Sequence, residues 1–384
     1  MESYRPLSVL YHMDEKEYAR RYAARAGSES TIHLPFAVHD DPAFVFLSLP
    51  LFQLCEKVLQ ANAALSQLSR NLPCTELVFM DAVFREIENS NEIEGVHSSR
   101  QQLEEALHTE TGGRFSGIVH QYQRLLSSER DPFPTSLEEI RRIYDSLLAA
   151  DIHEKDLPDG QLFRSHPVYV ASGRGPVHTG VFPEEKNADD LRTLLQIMED
   201  GEIPSLIRAG IFHFLFGYIH PFYDGNGRLN RYLSTLFVAE TLGVAASLQL
   251  SVTLRQRRKD YYRMFELCEH PLNKGELTPF VEFFLKALYE SLCQEIEVLQ
   301  LKAAQYAAYE KVIETMEVNE TARAFLLRLA QASLFTVNGL DKQELALYLH
   351  CSVATVNKLV SRYSSLIHIT KQGRFNRYML KEQI

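Results

Sequence analysis

The apolar positions of this chain recur with a helical period over most of its length. Leu51, Leu54, Cys55, Val58, Leu59 and Leu65 fall near i, i+3, i+4 and i+7, which predicts an amphipathic helix. Leu77, Val78, Val83, Phe84 and Ile87 predict a second helix over 75–94. Gly95 follows it at the C′ position, where left-handed backbone favours glycine. Ser99 and Gln102 have the spacing of a capping box that opens the next helix. Residues 1–45 lack the period, and Pro35, Pro42 and Asp40-Asp41 argue against long regular structure there. At 160–182 the pattern changes. Phe163, Val168-Tyr169-Val170 and the 177–181 stretch flank Gly173 and Gly175, predicting a short β-hairpin. Helical spacing resumes over 187–198 and 203–219 and continues to about 315, with no internal repeat.

Beyond 320, helical stretches over 321–332 and 341–349 precede a turn at Ser352-Val353-Ala354-Thr355, the layout of a helix-turn-helix. Ile367-His368-Ile369 and Tyr378-Met379-Leu380 then flank a basic turn, Lys371-Gln372-Gly373-Arg374, as two arms of a wing. The expected fold class is therefore mainly α: a helical core with a short β-hairpin flap, plus a C-terminal winged helix-turn-helix domain. The expected divisions are a helical region over 1–110, a central domain over 111–315 and the winged helix over 316–384.

Composition narrows the class without naming a function. The chain has 384 residues, 45% hydrophobic and 23% charged, as soluble proteins of two or three domains do. No basic start followed by an apolar run reads as a secretory signal. The apolar stretch over 232–250 is broken by Ser234, Thr235, Glu240 and Thr241, so it reads as a core helix and no membrane span is expected. Five scattered cysteines fit reduced thiols in a cytoplasmic protein. The net charge of −10 is uneven: from 320 onward nine Lys/Arg face four Asp/Glu, a net of +5 that leaves −15 for residues 1–319. A basic tail on an acidic body points to contact with an anionic polymer.

The chemistry concentrates at 220–231, HPFYDGNGRLNR. Pro221 stops the preceding apolar helix and leaves His220 at its mouth. Gly225, Asn226 and Gly227 tolerate positive φ, so the loop can turn successive N–H groups inward as an anion nest. The following helix would add its N-terminal dipole. Arg228 and Arg231 share one face there and suit phosphate oxygens. Asp224 supplies a carboxylate of the kind Mg²⁺ takes alongside waters. His220 supplies a base that works near neutral pH. Together these are the parts of phosphoryl or nucleotidyl transfer.

The run His-Pro-Phe-x-Asp-Gly-Asn-Gly-Arg-x-x-Arg resembles the Fic motif throughout, and the likeness extends over roughly 40–290 through the hairpin, Tyr261-Tyr262 and 278–284. The resemblance implies a protein adenylyltransferase with ATP as co-substrate and Mg²⁺ as cofactor. His220 would take the proton of a Ser, Thr or Tyr hydroxyl on a protein target, possibly the chain itself. Asp224 would hold Mg²⁺, while Gly225, Asn226, Gly227 and Arg228 stabilise the phosphates and Arg231 grips the γ-phosphate. Phe222 would anchor the loop, and Tyr261 and Asn273 would line the adenine and ribose site. The hairpin would take an extended target segment by strand addition. Asn230 stands where the family usually has a smaller residue. A homodimer is also implied.

Upstream, Ser90-Asn91-Glu92-Ile93-Glu94-Gly95 resembles the family's inhibitory Ser/Thr-x-x-x-Glu-Gly helix. Ser90 and Glu94 lie on one helical face, and a carboxylate there would pair fork-to-fork with Arg231. The same residues would serve removal of AMP from a target or another nucleotide donor. A reading of a different class makes the chain a nucleotide-sensing DNA-binding regulator. Its DNA contacts would come from Lys358, Arg362, Lys371, Arg374 and Arg377, while a docking or dimer module is the equal alternative for the winged helix. His213 is expected in the core, Glu184-Glu185 and Asp189-Asp190 as solvated caps, and the basic run over 255–259 on a solvated helix face.

Overall fold

A computed structural model of the chain describes residues 4–107, 109, 112–127, 130–172, 175–372 and 375–381. It is mainly helical with two-stranded antiparallel sheets, and divides into two compact units, Met1–Ala63 with Phe84–Cys293 and Ala64–Val83 with Gln294–Ile384. The element order begins α1 Leu7–Met13, α2 Glu15–Ala26, β1 Thr31–Val38, β2 Asp41–Phe46, α3 Leu49–Arg70, α4 Thr75–Ile93, α5 Arg100–Leu107, α6 Ser116–Leu125 and α7 Leu137–Leu148. The hairpin β3 Tyr169–Ser172 and β4 Gly175–Thr179 follows, then α8 Glu184–Glu199, α9 Ser205–Ile219 and α10 Asn226–Leu242. Next come α11 Val244–Ser247, α12 Leu250–Gln256, α13 Arg258–Glu269 and α14 Thr278–Glu314. The chain finishes with α15 Glu320–Phe335, α16 Lys342–Tyr348, α17 Val353–Arg362, β5 Ile367–Gln372 and β6 Phe375–Leu380.

The first unit is built around α9 and α10, which are buried along nearly their whole lengths. That enclosure explains why α9 is apolar on every face, where a surface helix carries one apolar stripe. Gly210 lets α14 come close: a Cβ there would lie 3.2 Å from the Cα of Val281. The expected ending of α4 holds. Gly95 has φ +74°, its N–H bonds the carbonyl of Glu92 at 3.1 Å, and Val96 N–H bonds that of Asn91 at 2.9 Å, which is a Schellman closure with Glu94 as the C-cap. The Ser99 and Gln102 box also forms, with Gln102 Oε1 accepting from Ser99 N at 2.9 Å and Ser99 Oγ from Gln102 N at 3.3 Å.

The N-terminal region is more ordered than its sequence suggested. β1 and β2 pair around a turn at His39, whose φ of 54° is left-handed. Leu34, Phe36 and Val38 alternate inward, while Pro35 falls on the outward face within a register shift between His33 and Ala37. A proline there costs no ladder bond. The expected flap hairpin also forms as β3 and β4, although its turn at 173–174 lies outside the described residues.

In the second unit Phe325, Leu326 and Leu329 of α15 pack with Leu345, Val356, Ile367 and Tyr378, joined by Tyr306 and Ile313 of α14 and by Leu77. Asp341 and Glu344 form a capping box at the start of α16, and Ser352 caps α17, so the predicted corner is the start of a helix. Leu340 bridges Tyr378 of β6 through two backbone bonds of 3.0 and 2.8 Å.

Candidate active site

His220 is the C-cap of α9, with φ 55° and ψ 61°. Left-handed backbone costs a non-glycine residue about 1 kcal/mol, so something must hold it. Arg164, 1% exposed, does so: its Nε donates to the carbonyl of His220 at 3.0 Å, and its two terminal nitrogens donate to His166 O at 2.8 Å and Val181 O at 2.6 Å. Its backbone N–H bonds Pro221 O at 3.2 Å. Nothing in the sequence singled Arg164 out, because its partners come from three separate segments.

Phe222 is fully buried and stacks on Tyr144, with ring centres 3.8 Å apart and planes 3° from parallel. Asn226 returns to clamp that residue: its Oδ1 accepts from Phe222 N at 2.9 Å and its Nδ2 donates to Phe222 O at 2.8 Å. The amide of Asn226 thus shapes the loop, and only its backbone is left for an anion. Gly225 has φ 82° at the N-cap of α10, packed against Leu148 so closely that a Cβ would come within 2.7 Å. The loop therefore ends at a helix N-terminus, the geometry that favours anions.

Arg228 is 2% exposed, and among its nitrogens Nε has no hydrogen-bond partner. One terminal nitrogen is 3.6 Å from Asp224, whose side chain is 56% exposed and whose Oδ1 accepts from Gly225 N. Arg231 has no exposed surface. Its Nε donates to Ser90 Oγ at 2.9 Å, one terminal nitrogen donates to Ser90 O at 2.8 Å, and the other meets Glu94 Oε1 at 2.7 Å. The fork-to-fork pair expected from sequence is thus replaced by a division of the guanidinium between Ser90 and Glu94. The reason is that α4 presents a hydroxyl and a carbonyl one turn before the carboxylate. Burial alone would lower the Arg231 pKa, but the charge of Glu94 raises it. Glu94 also overlies Gly227, where a Cβ would sit 2.0 Å from Oε1, so only glycine admits that carboxylate.

His220 donates from Nδ1 to the carbonyl of Gly217 at 3.3 Å, which leaves Nε2 as the free base. Burial first, then the neighbouring His178, push its pKa down to about 4, so the ring is neutral at pH 7. His213 is buried as expected, between Ser234 Oγ and Tyr261 OH, both at 2.8 Å. That contact corrects the expectation for Tyr261. Its hydroxyl bonds His213 and also reaches Arg231, and with 3% exposure the residue belongs to an aromatic core with Phe265 and Phe280. Asn273 is also fully buried and donates to Glu276 O at 2.6 Å, so it offers a ligand no surface. Asn230, the departure from the family pattern, donates to the carbonyl of His213 at 2.7 Å.

One further expectation needs correction. Glu184 is no solvated cap, since its carboxylate accepts the N–H groups of Gln161, Leu162 and Phe163 at 2.8–2.9 Å. Burial would raise its pKa, and those three bonds bring it below the usual value. The basic run lies on a solvated face as expected, with Arg255, Gln256, Arg258 and Lys259 exposed; within it Arg257 pairs with Glu290 at 2.7 Å and Arg255 with Glu92. Among the described residues no helix is long and apolar enough to cross a membrane.

With this geometry in place, the sequence comparisons fall on the same elements. Residues 134–238 match the profile of the Fic/DOC family. It is 32% identical over 141 residues to the protein adenylyltransferase Fic of Drosophila willistoni, covering 35% of this chain and 24% of that one. It is 26% identical over 225 residues to the protein of the same name from Drosophila mojavensis, covering 55% and 41%. The chain thus spans about a quarter to two fifths of the length of these relatives. A Fic family protein from Desulfovibrio desulfuricans G20 shares the fold with a TM-score of 0.57 at 20% identity, covering 91% of this chain and 98% of that one.

Proposed function

We propose that the chain is a protein adenylyltransferase held at low resting activity by Glu94. The carrying observation is the buried Arg231, divided between Ser90 and Glu94, with the Glu94 carboxylate lying against Gly227 at the mouth of the anion-binding turn. The residues fit a triphosphate. The partnerless Nε of the buried Arg228 and the N-terminus of α10 supply unused donors. Asp224 fits Mg²⁺ as one exposed carboxylate beside phosphates and waters. The ion, when bound, offsets negative charge on the phosphates.

Within this reading, a target hydroxyl gives its proton to Nε2 of His220 while its oxygen bonds the α-phosphorus of ATP. The bond from that phosphorus to the bridging oxygen breaks, and the electron pair leaves with pyrophosphate. The backbone turn at 225–227 and Arg228 stabilise the developing charge. Arg231 grips the γ-phosphate once Glu94 has left it. The exposed ring of Tyr169 on β3 sits where an extended target segment would add as a strand.

The test uses labelled ATP with parent, Glu94→Gly and His220→Ala proteins, read by mass spectrometry for AMP on protein. Glu94→Gly raises transfer about ten- to hundredfold by freeing a charged hydrogen-bond partner, and His220→Ala abolishes it. Equal rates in parent and Glu94→Gly would falsify the brake, and label on His220→Ala would reassign the base. Loss of AMP from a pre-modified target would redirect the same residues to the reverse reaction.

For α15, α16, α17 and the β5–β6 hairpin we infer a winged helix that binds nucleic acid phosphates. Exposed Lys358, Arg362 and Lys371 support it. Arg377 is excluded, because it is spent on Glu344 at 2.6 Å, and Arg374 lies outside the described residues.

A further inference from the structure

His178 stands on β4 opposite Val170, and its side chain is 9% exposed. Nδ1 lies 2.7 Å from Glu269 Oε2, and Nε2 lies 2.7 Å from the carbonyl oxygen of Tyr218. A carbonyl only accepts, so Nε2 carries a hydrogen. A carboxylate at 2.7 Å from the other nitrogen requires a proton between them as well. A neutral ring with its proton on Nε2 would set a lone pair against a carboxylate. The arrangement therefore calls for an imidazolium facing a carboxylate. Tyr218 belongs to the last turn of α9, the negative end of that helix, which favours a cation at the same place.

The His178 ring centre is 6.1 Å from that of His220. The groups that face His220 are few. From β4 comes His178, from the segment before β3 comes Arg164, and from the end of α4 comes Glu94. Its own helix contributes the Gly217 carbonyl. Of the ionisable groups with the largest effect, His178 and Arg164 resist a charge on His220, and Glu94 favours it. Arg164 keeps its charge in any folded state of the loop, since three carbonyls hold it. His178 is the variable member, because its charge depends on Glu269.

We propose that His178, held between Glu269 and the Tyr218 carbonyl, is a positioning residue that ties the flap hairpin to α9 and sets a positive charge beside the His220 imidazole, opposing its protonation. Its consequence for catalysis rests on the adenylyl-transfer reading. Its electrostatic content does not. A Glu94 that leaves Arg231 on activation would take away a group favouring protonated His220, which leaves His178 less opposed in the active form.

The test measures His220 directly in the full chain, by NMR titration of histidines labelled at the ring carbon. The His220 signal is assigned by its loss in His220→Ala. Glu269→Gln keeps a hydrogen bond to Nδ1 but withdraws the counter-charge, and His178→Gln withdraws the cation itself. Both variants raise the His220 titration midpoint, on the order of one pH unit for a charge about 6 Å away. In a Glu94→Gly background the acid limb of AMP transfer moves to higher pH by the same amount. A His220 midpoint unmoved in either variant overturns the proposal, since a tether that acted through packing alone would leave it in place. Absence of transfer by Glu94→Gly at every pH would instead overturn the adenylyl-transfer reading, and the NMR titration would still decide the role of His178.

Discussion

Glu86 has no exposed surface, and its carboxylate accepts both the N–H and the hydroxyl of Ser251 in the first turn of α12. Burial raises its pKa to about 7, against which the Ser251 bonds and Arg231 pull weakly. A carboxyl raised in the folded state binds more protons there than in the unfolded chain. Its contribution to stability is therefore present at low pH and lost as pH rises from about 4.5 to 7. His213 and His220, pushed down to about 3 and 4, act with the opposite sign, favouring the fold above about 6.5 and losing ground as pH falls. The Glu86 share is isolated by comparing parent with Glu86→Gln. Between pH 4.5 and 7 the variant should gain on the parent by about 3 kcal/mol, measured by urea unfolding across that range. A constant difference would show that the carboxyl titrates normally. Residues of this kind divide by legibility. His220, Phe222, Asp224, Arg228 and Arg231 stood out because of their fixed spacing within 220–231, and Ser90 and Glu94 because of theirs within 90–95. Arg164, Glu86 and His178 did not, since each acts through at least one partner more than ten residues away. Tyr261 and Asn273 were misplaced because a polar side chain near a motif gives no sign of whether its polar atoms face a ligand or a neighbour.

Elements with a capping signal at one end were legible: α4 with Gly95, α5 with Ser99 and Gln102, α17 with Ser352. The β1–β2 hairpin was not, because Pro35 reads as a breaker unless one knows that it faces outward at a bulge. Helix packing was also hidden. Gly210 lies in the middle of an apolar helix, where glycine costs about 1 kcal/mol relative to alanine, and its use emerges only from the approach of Val281. Gly210→Leu would force side-chain atoms into the backbone of α14, costing about 1–3 kcal/mol as overpacked cores do. The melting temperature of the variant should fall accordingly, and a melt matching the parent would mean that α14 can slide away freely.

Charge is distributed along the whole molecule rather than within one element, and the tail carries the positive share. If it binds nucleic acid, Lys358→Ala, Arg362→Ala and Lys371→Ala together weaken retention of duplex DNA in gel-shift experiments. They also flatten the salt dependence by about one per lost phosphate contact. Arg377→Ala should leave the salt slope unchanged, because that side chain answers to Glu344. Unchanged retention in the triple variant would sink the DNA reading. At this scale sequence alone was weakest. A cut at 316 follows the change of pattern, yet 64–83 belongs to the same compact unit as 294–384, bringing Leu77 and the Glu76 partner of Arg328. A break in periodicity marks where an element ends and says nothing of which distant segment fills its core.

Gly95 closes α4 one residue after Glu94, so that carboxylate hangs from the final peptide of the helix while Ser90 sits a full turn inside. The end of a helix is its negative pole, and an acidic side chain finds no welcome there from its own backbone. Its ion partner among the described residues is the opposing guanidinium. Competition for that single cation can therefore release one side chain with the rod behind it undisturbed, in the way a bolt withdraws while the door stays shut.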